Sequence, residues 1–211
     1  MRTGFAPHQL ARHEMRHRAA HAILTESGAS SVLDLGCGDG QFIERLAADH
    51  QFSVLTGVDE SIDSLRVAAE FSDPIEESRD DLTIAYHAGS LLTASLALPR
   101  HEAVTMIEVI EHFRLDDLPE VERVIFERLQ PDVVVFTTPS AVPVDGLDVR
   151  TRPKRRHDHH FEWTPDEART WLEGAGERHG YNPHHEVIST KPLPGLDLQV
   201  ISFSRRTSIP A

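Results

Sequence analysis

The sequence predicts an α/β fold, a mostly parallel sheet with helices between its strands. Short apolar runs rich in β-branched residues alternate with helical patterns along most of the chain. One run, DVVVFTT at residues 132–138, is apolar on both faces, as expected of a central strand. The length of 211 residues suits one domain, residues 1–211, and its 39% apolar content is typical of a globular protein.

The first half of the chain begins with a helical pattern at residues 7–26, which Gly28 ends. This N-terminal segment, residues 1–28, is expected to pack on the domain. Ser61 can cap a later helix, whereas the acidic stretch 73–81 is expected to be a solvated loop. The other candidates here are strands at 31–35, 52–59, 82–86 and 101–107 and helices after residue 40 and over 61–71.

The second half predicts a helix at 116–129 ahead of the central strand. Thr164-Pro165-Asp166-Glu167 forms a capping box with proline at the first helical position, and predicts a helix that ends near Gly180. Two further strands, near 185–189 and 196–203, bring the candidate strands to seven.

Composition excludes several classes of protein. The net charge of −13 argues against a protein that coats duplex nucleic acid, which would be basic. A single cysteine, Cys37, excludes an internal disulfide and a multi-cysteine zinc site. Because the sequence has neither an apolar run long enough for a membrane span nor a signal peptide pattern, a cytoplasmic protein without membrane contact is expected. The unusual feature is the content of 14 histidines.

A glycine turn, Gly36-Cys37-Gly38-Asp39-Gly40, follows the first strand and opens a helix. Backbone N–H groups at such a turn can approach a nucleotide-like ligand. Asp59 ends the next strand, where it can accept hydrogen bonds from ribose hydroxyls. An alternative is that the glycines only make a tight turn.

The segment VLDLGCGDG resembles the first motif of class I S-adenosylmethionine-dependent methyltransferases, and Asp59 matches their second motif. This resemblance implies a Rossmann-like, seven-stranded, mostly parallel sheet with helices on both faces and an antiparallel C-terminal strand. It also implies S-adenosylmethionine as cofactor, with Asp34, Gly36 and Gly38 along its methionine end, Asp59 at the ribose and Ser90 beside the adenine.

A second cluster of functional residues, Glu108-Val109-Ile110-Glu111-His112, follows the fourth strand. On a helix, Glu108, Glu111 and His112 would share one face while Val109 and Ile110 face inward. Two carboxylates and an imidazole that converge would favour a cation between them. The alternative is a metal-independent methyltransferase for a small phenolic or carboxylic acceptor, because a similar segment occurs in methyltransferases of the quinone-biosynthesis type.

The stretch RHDHHFEWT at residues 156–164 is a third cluster, with three histidines and two acids ahead of a capped helix. If it is extended, His157 and His159 share one face and His160 the other, so that one histidine can complete a ligand set. The alternative for His157 and His160 is a polar loop. Phe161 and Trp163 are expected in the core more than as base-stacking groups.

IEVIEHF and RHDHHFEWT together resemble the small-RNA 3′-terminal 2′-O-methyltransferases, the HUA-enhancer type of RNA silencing and bacterial RNA repair. The similarity covers roughly residues 29–190 and departs at Ser140, where the family usually has asparagine. It implies four metal ligands that also serve catalysis: Glu108, Glu111, His112 and His159. The implied metal is divalent, with Mn²⁺ preferred and Mg²⁺ or Co²⁺ possible for such an O/N donor set.

The implied reaction is metal-dependent methylation of the 2′-hydroxyl of the 3′-terminal ribose of RNA. A basic stretch beside the metal motif is the candidate phosphate contact, and weaker candidates are Arg12, Arg16 and Arg18. Expected partners are the RNA 3′ end and a repair kinase, phosphatase or ligase, with the protein a monomer. A third hypothesis is a catalytically silent nucleic-acid or metal-binding subunit. The basic stretch comprises Arg150, Arg152, Lys154, Arg155 and Arg156.

Overall fold

Strands and helices alternate along the chain as the sequence predicts. The structure is a computed structural model and describes residues 7–92, 98–142, 147–151, 154, 156–189 and 197–206. The strands are β1 (Ser31–Leu35), β2 (Val54–Asp59), β3 (Thr83–Ala88), β4 (Ala103–Ile107), β5 (Val133–Pro139), β6 (Tyr181–Ile188) and β7 (Leu198–Arg205). The helices are α1 (Pro7–Ser27), α2 (Gln41–Ala47), α3 (Ile62–Glu77), α4 (Leu118–Glu122) and α5 (Pro165–His179).

The described strands form a seven-stranded sheet in the order β3-β2-β1-β4-β5-β7-β6. The first five of these strands are mutually parallel. Strand β7 runs antiparallel to both of its neighbours, β5 and β6. The predicted fold class, with its antiparallel C-terminal strand, is therefore confirmed. Because β1, β2, β4 and β5 are parallel, their carboxyl ends meet at one edge of the sheet, where ligands bind in open α/β folds.

Helices cover both faces of the sheet. One apolar cluster joins α1, α2 and α3 to the sheet, and a second joins α4 and α5 to the opposite face. Successive side chains of β1 point to opposite faces of the sheet and contribute to both clusters, because Val32 belongs to the first cluster and Leu33 to the second. Ala20 and Leu24 of α1 are fully buried in the first cluster, so this helix packs against the sheet. Within the described part of the chain, no helix is long and apolar enough to cross a membrane.

The predicted loop at 73–81 is wrong in its first half, because α3 continues to Glu77 with Pro74 inside it. Contacts distant in sequence hold this extension in place. The carboxylate of Glu76 accepts a hydrogen bond from the backbone N–H of Ile84 at 2.9 Å. The buried guanidinium of Arg79 donates to three backbone carbonyls after and within α2. The acidic residues of this stretch do not by themselves predict these contacts, which involve residues distant in the sequence.

Two other elements differ from the prediction in their bounds or type. The predicted helix at 116–129 consists of a 3₁₀ turn (Leu115–Asp117), α4 and a π-helical segment (Arg123–Leu129). The predicted strand at 185–189 begins earlier, at Tyr181, directly after Gly180 ends α5 in a left-handed conformation. The buried Tyr181 hydroxyl donates to a backbone carbonyl before β5 at 2.6 Å, which anchors the start of β6.

Candidate active site

The carboxyl edge of the sheet opens onto a cleft of about 360 Å³, called here the donor cleft. Three residues expected to bind the cofactor line it: Gly36 after β1, Asp59 at the end of β2 and Ser90 after β3. Glu108 and His112, two of the expected metal ligands, line the same cleft. The structure therefore brings the expected cofactor residues and part of the expected metal set to one opening.

Within the glycine turn, Gly36 lies directly against the side chain of Val109. It has φ +77, and a Cβ there would lie 2.5 Å from a methyl group of Val109, so only glycine fits. The N–H of Gly38 donates to Oδ2 of Asp59 at 2.8 Å, and the N–H of Ser61 donates to Oδ1 at 2.8 Å. The Asp59 carboxylate is thereby fixed between the glycine turn and the start of α3.

A smaller cavity of about 160 Å³, called here the tail cavity, shares Gly36 with the donor cleft. Asp34 and Gly38 line this cavity together with side chains of α1. Asp34 is buried, and the hydroxyl of Thr105 donates to its carboxyl at 2.6 Å. Burial raises the pKa of Asp34 to about 7. The expected cofactor residues thus line two adjoining spaces.

Three of the four expected metal ligands converge on one point. Glu111, His112 and His159 each offer a ligand atom, and these atoms lie within 4.8 Å of one another. Glu111 is fully buried; its Oε2 accepts a hydrogen bond from the Thr138 hydroxyl at 3.1 Å, while its Oε1 has no hydrogen-bond partner among the described residues. Burial, followed by the charge of Glu108, raises the pKa of the Glu111 carboxyl well above its ordinary value.

Both imidazoles of this cluster are oriented by hydrogen bonds at Nδ1. His112 Nδ1 lies 3.1 Å from the backbone carbonyl of Asp158, and His159 Nδ1 lies 2.7 Å from Oε1 of Glu162. A carbonyl or carboxylate oxygen accepts, so Nδ1 is the donor in each ring, and in the neutral tautomer that this defines Nε2 has the free lone pair. A buried, unpaired carboxylate oxygen beside two such rings has the donor chemistry that a divalent cation requires.

Glu162 is a residue beside the candidate metal cluster to which the sequence analysis assigns no role. It lies three residues after His159, and both side chains are almost completely buried. A signal was present in the sequence, because an acidic residue between two aromatic residues has to find a buried partner. Those aromatic residues, Phe161 and Trp163, are buried against each other with ring centroids 4.5 Å apart, which confirms their expected place in the core.

Glu108 stands apart from the other three expected ligands. It has φ +57, and its N–H donates to the backbone carbonyl of Thr137 at 2.9 Å. The predicted single helix over 108–112 is therefore wrong: the ladder between β4 and β5 continues through Glu108, and only a 3₁₀ turn at Ile110–His112 follows. The Glu108 carboxylate accepts from the Thr137 hydroxyl at 3.3 Å and pairs with Arg16 at 3.2 Å.

Arg16, one of the weaker candidates for RNA contact, pairs with an acidic residue of the site. Its side chain is 17% exposed, and it points from α1 to the Glu108 carboxylate. Arg18, two residues further along the same helix, is exposed.

Two cations of the expected RNA-binding stretch already have acidic partners. Arg150 pairs with Asp116 at 2.9 Å, and Arg156 pairs with Asp158 at 2.9 Å. An RNA phosphate would have to compete with these exposed pairs, which are individually weak.

The remaining residues of the stretch are described only in part. Lys154 is exposed, whereas Arg152 and Arg155 lie outside the described residues. Residues 156–158 form a turn, so the expected extended alternation of the histidines is wrong. His157 and His160 are exposed, and the backbone N–H of His160 donates to the carbonyl of Glu111 at 2.8 Å.

The strand order, the glycine turn that opens α2 and the acidic end of β2 define a class I methyltransferase fold, a class that uses S-adenosylmethionine as methyl donor. The chain belongs to the methyltransferase domain family, whose model matches residues 11–178. The cofactor expected from the first motif is thereby supported.

Comparison with individual proteins narrows the relationship. The small RNA 2′-O-methyltransferase of Rattus norvegicus is 29% identical over 185 residues, which are 85% of this chain and 46% of the rat protein. The crystal structure of the methyltransferase domain of bacterial CtHen1-C is 29% identical with a TM-score of 0.74, and covers 93% of this chain and 100% of that chain. These matches confirm the resemblance seen in the motifs.

A third match is to the crystal structure of small RNA methyltransferase HEN1. It is 26% identical with a TM-score of 0.80, and the match covers 99% of this chain and 27% of that chain. The present chain thus spans about half the length of the vertebrate relatives that it matches, and less of longer ones.

Proposed function

We propose that this protein transfers a methyl group from S-adenosylmethionine to the 2′-hydroxyl of the 3′-terminal ribose of an RNA, with a divalent cation at the site. Glu111, His112 and His159 would hold the cation, and Glu108 would be the fourth ligand. We expect Mn²⁺ rather than Mg²⁺, because two of these ligands are imidazole nitrogens, and Co²⁺ is a possible alternative.

One observation carries the proposal: Oε1 of the buried Glu111 has no hydrogen-bond partner among the residues that the structure describes. A buried carboxylate oxygen without a hydrogen-bond partner is costly to a fold, and such atoms call for a functional explanation. Its two nearest candidate co-ligands, His112 and His159, are held with their Nε2 atoms available. His112 also lines the donor cleft, so the cluster adjoins the space proposed for the methyl donor.

Different residues of the chain would bind the methyl donor and the RNA acceptor. In the donor cleft, Asp59 would accept hydrogen bonds from the donor's ribose and Ser90 would lie beside its adenine. Gly36, which has no side chain, lets the donor approach the backbone. Asp34 and Gly38 would lie toward the methionine end, in the tail cavity.

On the acceptor side, a ribose hydroxyl is a very weak acid that needs activation near neutral pH. A divalent cation, when bound, supplies Lewis acidity toward the 2′- and 3′-hydroxyls of a terminal ribose. The two anchored histidines and Glu111 fix where that ribose is held relative to the donor cleft, and positioning of this kind is a large part of catalysis. The need for two neighbouring hydroxyls confines the reaction to a 3′ end.

The RNA strand itself would be held by the exposed cations beside the site. Arg156 and Lys154 are the described candidates, together with Arg152 and Arg155 from the sequence prediction. A short basic stretch suffices for a protein that binds only the last nucleotides, so the net charge of −13 is compatible with this substrate.

The test uses labelled S-adenosylmethionine, Mn²⁺ and three short RNAs that differ only in the last nucleotide: a free 2′,3′-diol, a 3′-phosphate and a 2′-deoxy end. We expect label only on the diol RNA, and its loss in a chelator and in His159→Ala. Equal labelling of the diol and 3′-phosphate RNAs would overturn the terminal-ribose mechanism. Full activity in chelator on a phenolic or carboxylic acceptor would instead establish the metal-independent alternative.

Several sequence expectations stay predictions. They are a repair kinase, phosphatase or ligase as partner, a monomeric state and a cytoplasmic location. RNA is the partner that the relatives' names support, and its 3′ end is part of the proposal.

A further inference from the structure

Gln199, the second residue of β7, has a completely buried side chain that reaches two other segments. Its Nε2 donates to the backbone carbonyl of Trp163, directly before α5, at 2.9 Å and to that of Pro139, at the end of β5, at 3.3 Å. The backbone N–H of Ala141 donates to the same Trp163 carbonyl at 2.8 Å. One amide therefore ties the end of β5 to the loop before α5, alongside a single backbone hydrogen bond.

The two carbonyls bound by this amide each lie beside a residue that orients a candidate metal ligand. The residue before Pro139 is Thr138, whose hydroxyl donates to Oε2 of Glu111 at 3.1 Å. The residue before the other carbonyl is Glu162, whose Oε1 lies 2.7 Å from Nδ1 of His159. A single side chain thus connects the supports of two ligands that are far apart in the sequence.

The amide of Gln199 is held in one orientation. Its Oε1 lies 2.9 Å from Nε2 of His185 in β6, so the oxygen faces the imidazole and the NH₂ group faces the two carbonyls. The neighbouring positions of β7 are buried and apolar, so an apolar residue would suit the sheet here. These neighbours are Leu198, Val200 and Ile201. The polar residue is therefore explained by what its amide binds.

The loop that carries His159 is fastened at two points. The backbone N–H of His160 donates to the carbonyl of Glu111 at 2.8 Å, and the Trp163 carbonyl accepts from the buried amide. Glu162 lies between these points. Loss of the second point would leave the backbone at residue 160 in place but free Glu162 to shift, and with it the imidazole that it orients.

We propose that Gln199 is a positioning residue of the metal cluster. It holds the backbone beside Glu162 and Thr138, and through these two residues it sets the spacing between the ligand atoms of His159 and Glu111. This inference rests on the proposed function, because it takes the divalent cation as given.

The spacing has to be set precisely for a cation to bind. The ligand atoms of Glu111, His112 and His159 lie within 4.8 Å of one another. Metal–ligand distances hold to within about 0.2 Å, so a small shift of one ligand weakens the site. Residues that orient metal ligands through hydrogen bonds accordingly affect metal affinity without touching the metal.

The test compares Gln199→Met with Tyr181→Phe. Tyr181 is also buried, and its hydroxyl donates to the carbonyl of Pro131 at 2.6 Å, at the opposite end of β5. Both replacements nearly keep the volume and remove buried hydrogen bonds between β5 and the C-terminal strands, so both should lower the Tm. Only Gln199→Met should weaken Mn²⁺ binding, by about threefold to tenfold. Binding of S-adenosylhomocysteine should stay within about twofold in both variants.

His185→Leu is a second, milder variant. It leaves the amide of Gln199 in place but removes the partner that fixes its orientation. We expect Mn²⁺ binding to weaken by about twofold to threefold. This variant keeps the inference testable if Gln199→Met does not fold.

The route through Glu162 is measured by a double-mutant cycle. If Gln199 acts through Glu162, Gln199→Met should change the Kd for Mn²⁺ by less than about twofold in a Glu162→Gln background. Fully additive effects would exclude this route.

Metal-free protein with ¹⁵N-labelled histidine reports the positioning without a cation. The Nδ1 proton that His159 donates to buried Glu162 should exchange slowly with water, and His159→Ala identifies its resonance. Gln199→Met should speed this exchange, whereas Tyr181→Phe should not.

Equal weakening of Mn²⁺ binding by Gln199→Met and Tyr181→Phe would overturn the inference, because it would mean a general loss of structure. Unchanged Mn²⁺ binding and proton exchange in folded Gln199→Met, or in His185→Leu alone if only that variant folds, would overturn it as well. If the wild type binds no Mn²⁺, the cation of the proposed function is refuted instead. The exchange of the His159 proton then decides by itself whether Gln199 positions this residue.

Discussion

Glu162→Gln tests the role of the buried acid behind His159. The bond between Nδ1 and Oε1 is 2.7 Å, and the two side chains are only 4% and 3% exposed, so solvent screens it little. A hydrogen bond to a charged group contributes about 1.5–3 kcal/mol, and a neutral acceptor gives about half of that. Glutamine keeps the shape and an acceptor, so the loss is about 0.8–1.5 kcal/mol, or roughly a fourfold to thirteenfold weaker Kd for Mn²⁺.

The assay is titration of the purified protein with Mn²⁺, read by the paramagnetic signal of the free ion. Glu122→Gln is the matched control, because Glu122 is also buried and lies 3.1 Å from a histidine nitrogen, that of His179, between α4 and α5. It should lower stability without changing the Kd. If folded Glu162→Gln binds Mn²⁺ as the wild type does, or if Glu122→Gln weakens binding equally, Glu162 does not support the metal ligand.

Three further outcomes are expected. Glu111→Gln should melt higher than the metal-free wild type by scanning calorimetry, because a buried ionisable carboxyl is removed, yet lose Mn²⁺ binding; a lower Tm would contradict this. Thr138→Val should weaken Mn²⁺ binding about threefold to tenfold, because the hydroxyl that orients Oε2 of Glu111 at 3.1 Å is lost; an unchanged Kd would refute its role. Burial raises the pKa of Asp34 from 3.8 to about 7, so the folded state retains a proton that the unfolded chain releases, and stability should fall as pH rises between these values. Asp34→Asn should flatten that decline in urea unfolding, and an equally steep decline would exclude Asp34 as its source.

The fold was predictable because its main signals are local. The run VLDLGCGDG contains a strand, a turn and the start of a helix within a few residues, and the capping box at Thr164 marks the start of α5. The extension of α3 through Pro74 was not predictable in this way. It depends on Ile84 and on the carbonyls that bind Arg79, and no local pattern encodes those contacts.

The site was predictable in its residue types but not in its geometry. The motifs placed Glu111, His112 and His159 together, and the structure brings them within 4.8 Å. Their convergence does not come from one helical face, because the backbone of Glu108 is left-handed. The placement of Arg16 could not be read from spacing either, since it depends on how α1 packs across the sheet.

Several features at this site cost stability, and they concentrate at one place. Glu108 holds a left-handed φ, which costs a non-glycine residue roughly 1–2 kcal/mol. Glu111 buries a carboxylate oxygen without a partner among the described residues. The like charge of the Glu108 carboxylate also acts on it. A chain selected for folding alone would place glycine at 108 and an apolar residue at 111. The two threonines that end β5, Thr137 and Thr138, orient these carboxylates but do not neutralise them. Arg16 offsets part of the charge from a separate helix, through its ion pair with Glu108. The cost is therefore explained if a cation completes the site.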